Sequence, residues 1–248
     1  MRLTRVHVPG PLAAAGEVSL PEAAAAHVAR VLRLRPGARL VLFDGSGADF
    51  LAEISDIAGS RVRARIDGRA EGLPESPLAV TLVQAVSRGE RMDWTLQKAT
   101  ELGVQRIQPV FAARSVVRLD ERQGERRLRH WQAVVASACE QCGRSVLPAM
   151  EPPLELPRYL AGPRGAALRL VLSPDAATSL ATSAGRLDGD GGGIELLIGP
   201  EGGLEAAEVA EATRAGFEPV SLGPRVLRTE TAGIAALAVL QALAGDLR

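Results

Sequence analysis

Two short runs carry residues whose types and spacing could do chemistry. Gly199-Pro200-Glu201-Gly202-Gly203 follows the apolar run Ile194–Ile198, and Gly223-Pro224-Arg225-Val226-Leu227-Arg228-Thr229-Glu230-Thr231 follows Phe217–Leu222. Glycine lets a backbone approach a ligand closely, and proline fixes the shape of the loop. The first run lacks the Gly-Lys-Ser/Thr ending of a P-loop and is not a Gly-x-Gly-x-x-Gly turn. Glu201 within it would repel a phosphate, so a ligand with little negative charge suits the pair better. A third candidate, Cys139-Glu140-Gln141-Cys142, has the spacing of a redox pair or half a zinc site. No second such pair exists, His7, His27 and His130 are scattered, and the pair ends a helix rather than opening one. No metal is expected.

These loops need a frame. Bounded apolar runs joined by the helical stretch LEAAEVAEATRAG read as parallel strands buried on both faces. In such sheets ligands sit at the carboxyl ends of strands, where Gly199–Gly203 and Gly223–Thr231 fall. Upstream, a strand Leu78–Val86, a helix carrying Met92, Leu96, Ala99 and Leu102 and closed by Gly103, and a strand Val104–Phe111 form a β-α-β unit. Within that helix Lys98 and Glu101 are spaced as a surface ion pair. A helix Glu125–Cys142, a strand Ala166–Leu172 ending in Ser173-Pro174-Asp175, a Gly/Asp-rich connector Leu187–Gly193 and a buried helix Thr231–Ala244 follow. Residues 1–70 read as a small β domain, with strands Leu40–Phe43 and Arg61–Ile66, a hairpin turn at Asp44–Gly47 and a short helix Pro21–Arg33. Residues 71–77 have the composition of a linker. The class is α/β, with domains 1–70 and 78–248.

The 248 residues carry a formal net charge of +0, which alone argues against a nucleic-acid binder. Its distribution says more: residues 1–70 hold 10 Arg against 7 acidic residues, the excess a local phosphate-binding face needs. The longest apolar run, Ala232–Leu240, is too short to span a bilayer, and Met1–Gly10 has no signal-peptide core. With two cysteines, the expectation is a cytoplasmic protein with no membrane partner.

GPEGG followed, one helix and one strand later, by LGPRVLRTET resembles the bacterial 16S ribosomal RNA uracil-N3 methyltransferases, members of the SPOUT superfamily of S-adenosylmethionine (SAM) enzymes. HVARVLRLRPGARLVLFDGSG resembles their N-terminal PUA-like barrel, and RMDWTLQKATELGVQRIQPV their first β-α-β stretch. Arg114-Ser115-Val116-Val117 matches an Arg-Ser-Val-Val run, although Ala112 and Ala113 stand where relatives carry Thr and a polar residue. Glu140-Gln141-Cys142-Gly143-Arg144 matches Glu-Gln-Ser-x-Arg. The resemblance implies a SPOUT-type parallel sheet with a C-terminal trefoil knot, a small N-terminal PUA-like β-barrel, and SAM as cofactor. It also implies 16S rRNA or the assembled small ribosomal subunit as substrate, and a homodimer built on the C-terminal helix.

It further implies what the loops do. SAM contacts fall on Leu172, Ser173, Ile198, Gly199, Pro200, Glu201, Gly202, Gly203, Leu222, Gly223, Pro224, Val226, Leu227, Arg228 and Thr231. N3 of uracil carries a proton at neutral pH, so a base must remove it or positive charge must stabilise the anion. Glu201 or Glu230 is the candidate base, and Arg114, Arg144 or Arg228 the candidate stabiliser; the sequence leaves the choice open. Glu140 and Gln141 join this catalytic set, Gln141 because its amide can both donate to and accept from a base edge. Arg30, Arg33 and Arg35 would hold RNA. Two other readings stand beside this one: ribose 2′-O methylation, or a non-catalytic rRNA-binding factor on the same fold.

Overall fold

A computed structural model describes residues 3–116, 121–163, 165–186 and 193–247; Val117 and connector residues 187–192 lie outside them. The chain forms two compact units, 1–75 with 136–147, and 76–135 with 148–248.

The first unit is a five-stranded sheet in the order β1-β3-β4-β5-β2. Its elements are β1 (Thr4–His7), β2 (Gly16–Ser19), α1 (Glu22–Ala26), β3 (Arg39–Phe43), β4 (Ala48–Ala58) and β5 (Arg61–Glu71). Strict alternation along β5 turns Val62, Ala64 and Ile66 inward, against Phe50, Ala52 and Ile54 of β4. Register shifts at Leu51/Ala52 and Ile54/Asp56 bend that pair. No ladder joins β1 to β2 among the described residues, so the expected barrel is here an open, bent sheet. The expected helix Pro21–Arg33 is α1 followed by one wider turn, His27–Val31, which stops where Arg33 adopts φ 51°.

The expected division at 70 and 78 is not one cut. Residues 136–147 belong with the first unit because their polar groups are satisfied there. Glu140 accepts from the His7 amide at 2.9 Å, and Arg144 pairs with Glu75. The Ser145 hydroxyl meets Arg5 and Asp49.

The second unit is a parallel sheet in the order β12-β10-β11-β6-β7-β8, with β9 also on β7. Its strands are β6 (Val80–Ala85), β7 (Arg106–Phe111), β8 (Ala149–Met150), β9 (Leu154–Glu155), β10 (Leu168–Leu172), β11 (Ile194–Ile198) and β12 (Glu218–Val220). Its helices are α2 (Glu90–Glu101), α3 (Glu121–Cys142, whose last turns enter the first unit), α4 (Leu156–Leu160), α5 (Leu180–Ala184), α6 (Ala206–Arg214) and α7 (Thr229–Ala244). Every residue of β11 is buried, as expected of a strand covered on both faces. Its one charge, Glu195, sits in register with Arg169 of β10, 2.8 Å from the guanidinium, and accepts from Tyr159 at 2.9 Å. Helix α2 is closed by Gly103 at φ 79°, and Lys98 meets Glu101 at 2.8 Å.

Helix α7 buries Gly233, Ala236, Leu237 and Leu240, and contacts α2, α5 and β11. Gln241 holds it in place, accepting from Ser76 at 2.6 Å and donating to the Leu102 carbonyl at 2.9 Å. The helix begins two residues earlier than expected because Arg228 is already its N-cap, its carbonyl accepting from Ala232 at 2.8 Å.

Candidate active site

Strands β10, β11 and β12 do not run across the sheet in chain order. The chain steps from β10 to β11 on one side, then returns to place β12 on the other. A strand order that reverses leaves a crevice at the carboxyl ends. There lies a cavity of about 570 Å³, walled by Leu172–Asp175 after β10, Ile198–Leu204 after β11 and Val220, Leu222, Gly223 and Arg225–Leu227 after β12, with Arg114 beyond β7.

Most of the expected cofactor residues meet in this one cavity: Leu172, Ser173, Ile198, Gly199, Pro200, Glu201, Gly202, Gly203, Leu222, Gly223, Val226 and Leu227. Pro224, Arg228 and Thr231 are not among its lining residues. Thr229, Asp175, Arg225 and Val209 line it without having been singled out. Thr229 carried a legible signal, a hydroxyl two residues before the expected helix start.

Each loop is held in shape locally. The Gly203 amide donates to the Pro200 carbonyl at 2.9 Å, closing the turn. A Cβ on Gly199 would lie 2.9 Å from the Leu204 nitrogen, so only glycine fits there. Gly223 adopts φ 88°, which a side chain would strain. Arg114 donates to the Gly202 carbonyl at 2.9 Å and lies 3.5 Å from Glu205. The Ala113 amide donates to Glu208 at 2.8 Å, tying the loop after β7 to α6.

Glu201 is tied down rather than free. It accepts from the Arg88 amide at 3.1 Å and from Arg91 at 3.2 Å. Burial, the largest single influence, pushes its carboxyl up. The amides of Arg88 and of Glu201 itself, with the Arg91 guanidinium, outweigh that and hold it below its ordinary value. A carboxylate stabilised in this way is a weak base. Glu230 lies 3.9 Å from the same Arg91. Arg114, exposed at the cavity wall, keeps a guanidinium where charge could develop.

Glu140, Gln141 and Arg144 belong to the first unit. Burial raises the Glu140 carboxyl, and the His7 amide opposes it only in part. Arg144 is buried against Glu75, and Gln141 is exposed. Arg30, Arg33 and Arg35 are exposed. Burial pushes the Cys139 thiol up to about 12, and the thiol donates to the Val146 carbonyl. Among the described residues Cys139 and Cys142 form no disulfide, no acidic, His or Cys cluster could hold a metal ion, and no helix is long and apolar enough to cross a membrane.

Residues 74–241 match the family model of an RNA methyltransferase domain, and residues 20–67 that of an RNA methyltransferase PUA domain. The chain is 31% identical to the ribosomal RNA small subunit methyltransferase E of Buchnera aphidicola (subsp. Schizaphis graminum), covering 99% of this chain and 98% of the relative. A solved structure from Legionella pneumophila, in complex with the bound cofactor SAM, matches at a TM-score of 0.94 and 38% identity over 100% of both chains. The ribosomal RNA small subunit methyltransferase E of Neisseria gonorrhoeae, bound to S-adenosyl methionine, matches at 0.89 and 39%, also over 100% of both. The chain belongs to the RNA methyltransferase family that includes the ribosomal RNA small subunit methyltransferase E proteins.

Proposed function

We propose that this protein transfers a methyl group from SAM to N3 of a uracil in 16S rRNA. The observation that carries the reading is the cavity at the carboxyl ends of β10, β11 and β12, lined by the three loops in a chain whose solved relatives hold SAM. Its volume of about 570 Å³ falls within the roughly 300–1,000 Å³ typical of small-molecule sites. Its walls mix apolar side chains, Leu172, Ile198, Val220 and Leu222, with backbone groups. The acidic Glu201 and Asp175 balance the basic Arg114 and Arg225, leaving no excess of positive charge for a phosphate ligand. That chemistry fits a cofactor read by stiff backbone loops. When bound, SAM supplies a methyl on a sulfonium whose S–C bond breaks as the N3–C bond forms.

The chain's own residues have the remaining tasks. Arg114 stabilises the uracil anion, since Arg144 is taken up by Glu75. Glu201 holds the loop through Arg88 and Arg91 rather than taking the proton. Glu230, with its more distant ion pair, is the better base of the two. Gln141, exposed, offers an amide to the edge of a flipped base. Arg30, Arg33 and Arg35, within residues 1–70, contact the RNA backbone.

The same reading takes the assembled small subunit or free 16S rRNA as substrate, in the cytoplasm, with a homodimer as the working form. Exposed apolar side chains on and just before α7, Leu243 and Val226, support the dimer. The reading includes a trefoil knot, and the bonds of Ser173, Thr178 and Leu180 to Val220 and Ser221, which hold the loop after β10 beside the chain leading to α7, are in keeping with it. The test is methyl transfer from labelled SAM to small subunits, followed by digestion to nucleosides. Label on the uracil base is expected; label on ribose, or none, rejects the assignment.

A further inference from the structure

We infer that Gln84 and Thr229 form a buried relay that fixes the first cofactor loop to the start of α7, making Gln84 a positioning residue for methyl transfer. The inference rests on the proposed reading that the cavity takes SAM.

Gln84 lies in β6, wholly buried, in register with Ile198 at the end of β11. Its side-chain Nε2 donates to the Ala85 carbonyl and to Thr229 Oγ1, both at 3.0 Å. Thr229 Oγ1 in turn donates to the Gly199 carbonyl at 2.6 Å. A hydroxyl has one proton, and here it goes to Gly199. Toward Gln84 the same oxygen must therefore accept. That polarity sets the orientation of the Gln84 amide, with its nitrogen facing Ala85 and Thr229 and its carbonyl oxygen turned away.

The orientation has a cost. Gln84 Oε1 is buried and has no hydrogen-bond partner. A Cβ on Gly233 would lie 3.3 Å from it, so α7 passes close by and offers it no donor from that position. An apolar side chain of the same length would remove this unsatisfied acceptor, so packing alone does not explain a glutamine here. What the glutamine provides is the link. Through one hydroxyl it joins a central strand, the first turn of α7 and the first residue of the Gly199–Gly203 loop. Gly199 and Thr229 both line the cavity, whereas Gln84 does not. Gln84 thus acts on the ligand only through the other two.

The experiment uses the full chain and three variants. Gln84→Met keeps length and removes hydrogen bonding, Thr229→Val keeps shape and removes the hydroxyl, and Thr229→Ser keeps the hydroxyl. SAM affinity is read by calorimetry, KM for SAM and kcat by methyl transfer to small subunits, and folding by thermal unfolding. Gln84→Met and Thr229→Val should each weaken SAM binding about tenfold, the scale of one such hydrogen bond. Gln84→Met should melt no lower than the unaltered protein, and Thr229→Ser should restore binding. Unaltered SAM affinity and KM in a folded Gln84→Met protein overturn the relay, as does an affinity loss that only follows a fall in melting temperature. If Gln84→Met does not fold, the Thr229→Val and Thr229→Ser pair decides: equal SAM affinity in the two overturns it. A protein that binds no SAM before any substitution rejects the functional reading itself, a separate outcome.

Discussion

Replacing Gly199 by alanine probes the tightest point of the cavity wall. The added methyl would lie 2.9 Å from the Leu204 nitrogen, 3.0 Å from its Cγ and 3.3 Å from the Gly203 carbonyl carbon. Two of these three atoms are backbone, and the Gly203–Pro200 hydrogen bond holds that backbone in its turn. The strain cannot be relieved by rotating one side chain, so the turn must open by several tenths of an ångström. Overpacking of this kind costs about 1–3 kcal/mol. Leu204 and Gly203 line the cavity, so the displaced atoms are part of the ligand wall. If the binding-competent turn bears that cost, SAM affinity should fall by roughly 5- to 150-fold, at about 1.4 kcal/mol per tenfold. Gly202→Ala is the control. Its new methyl lies 3.2 Å from the Arg114 Cβ, which rotation cannot move, and 3.3 Å from its Cδ, which can swing aside. No backbone atom of the turn is among its nearest contacts. Gly202→Ala should keep SAM affinity within a few-fold while slowing transfer through the displaced Arg114. Calorimetric titration of SAM into both variants reads the contrast. Equal SAM affinity in Gly199→Ala and the unaltered protein would refute the reasoning.

Two other perturbations address the charged groups. The Glu201 carboxyl is held below its ordinary value of 4.5, so its contribution is fully present above that value and is lost as pH falls through the folded value. The stability gap between the unaltered protein and Glu201→Gln should be constant near neutrality and close below about pH 4.5; a gap that widens toward acid would contradict this. Arg144→Met leaves Glu75 without its buried partner and should destabilise by about 3–5 kcal/mol, toward the lower figure because Glu75 is partly exposed. Thermal unfolding checks it, and an unchanged melting temperature with methyl transfer abolished would return Arg144 to a catalytic role.

The parallel sheet and the loops that wall its cavity were legible because the physics is local. Ile194–Ile198 is apolar throughout, its glycines and prolines follow at once, and strand ends are where such loops must lie. Residues 136–147 were not legible as part of the first unit. Nothing in the spacing of Glu140 or Arg144 announces partners as distant in sequence as His7 and Glu75. Residues 78–248 alone would separate Glu140 from the His7 amide and Arg144 from Glu75, because the two units do not divide at a single point in the chain. Glu201 looked like a base from sequence because its type and place suit one; only the Arg88 amide and Arg91, brought up from α2 and the turn before it, reveal an anchored anion. A homodimer built on the C-terminal helix cannot use Leu237, which is fully buried within its own unit, in a helix that packs against α2, α5 and β11.

The most direct measurement of the central claim is mass spectrometry of 16S rRNA from cells lacking this protein, complemented with the unaltered chain or with Gly199→Ala. One N3-methyluridine should be absent, return fully with the unaltered chain, and return in part or not at all with Gly199→Ala. Identical 16S rRNA modification with and without the protein would contradict the account.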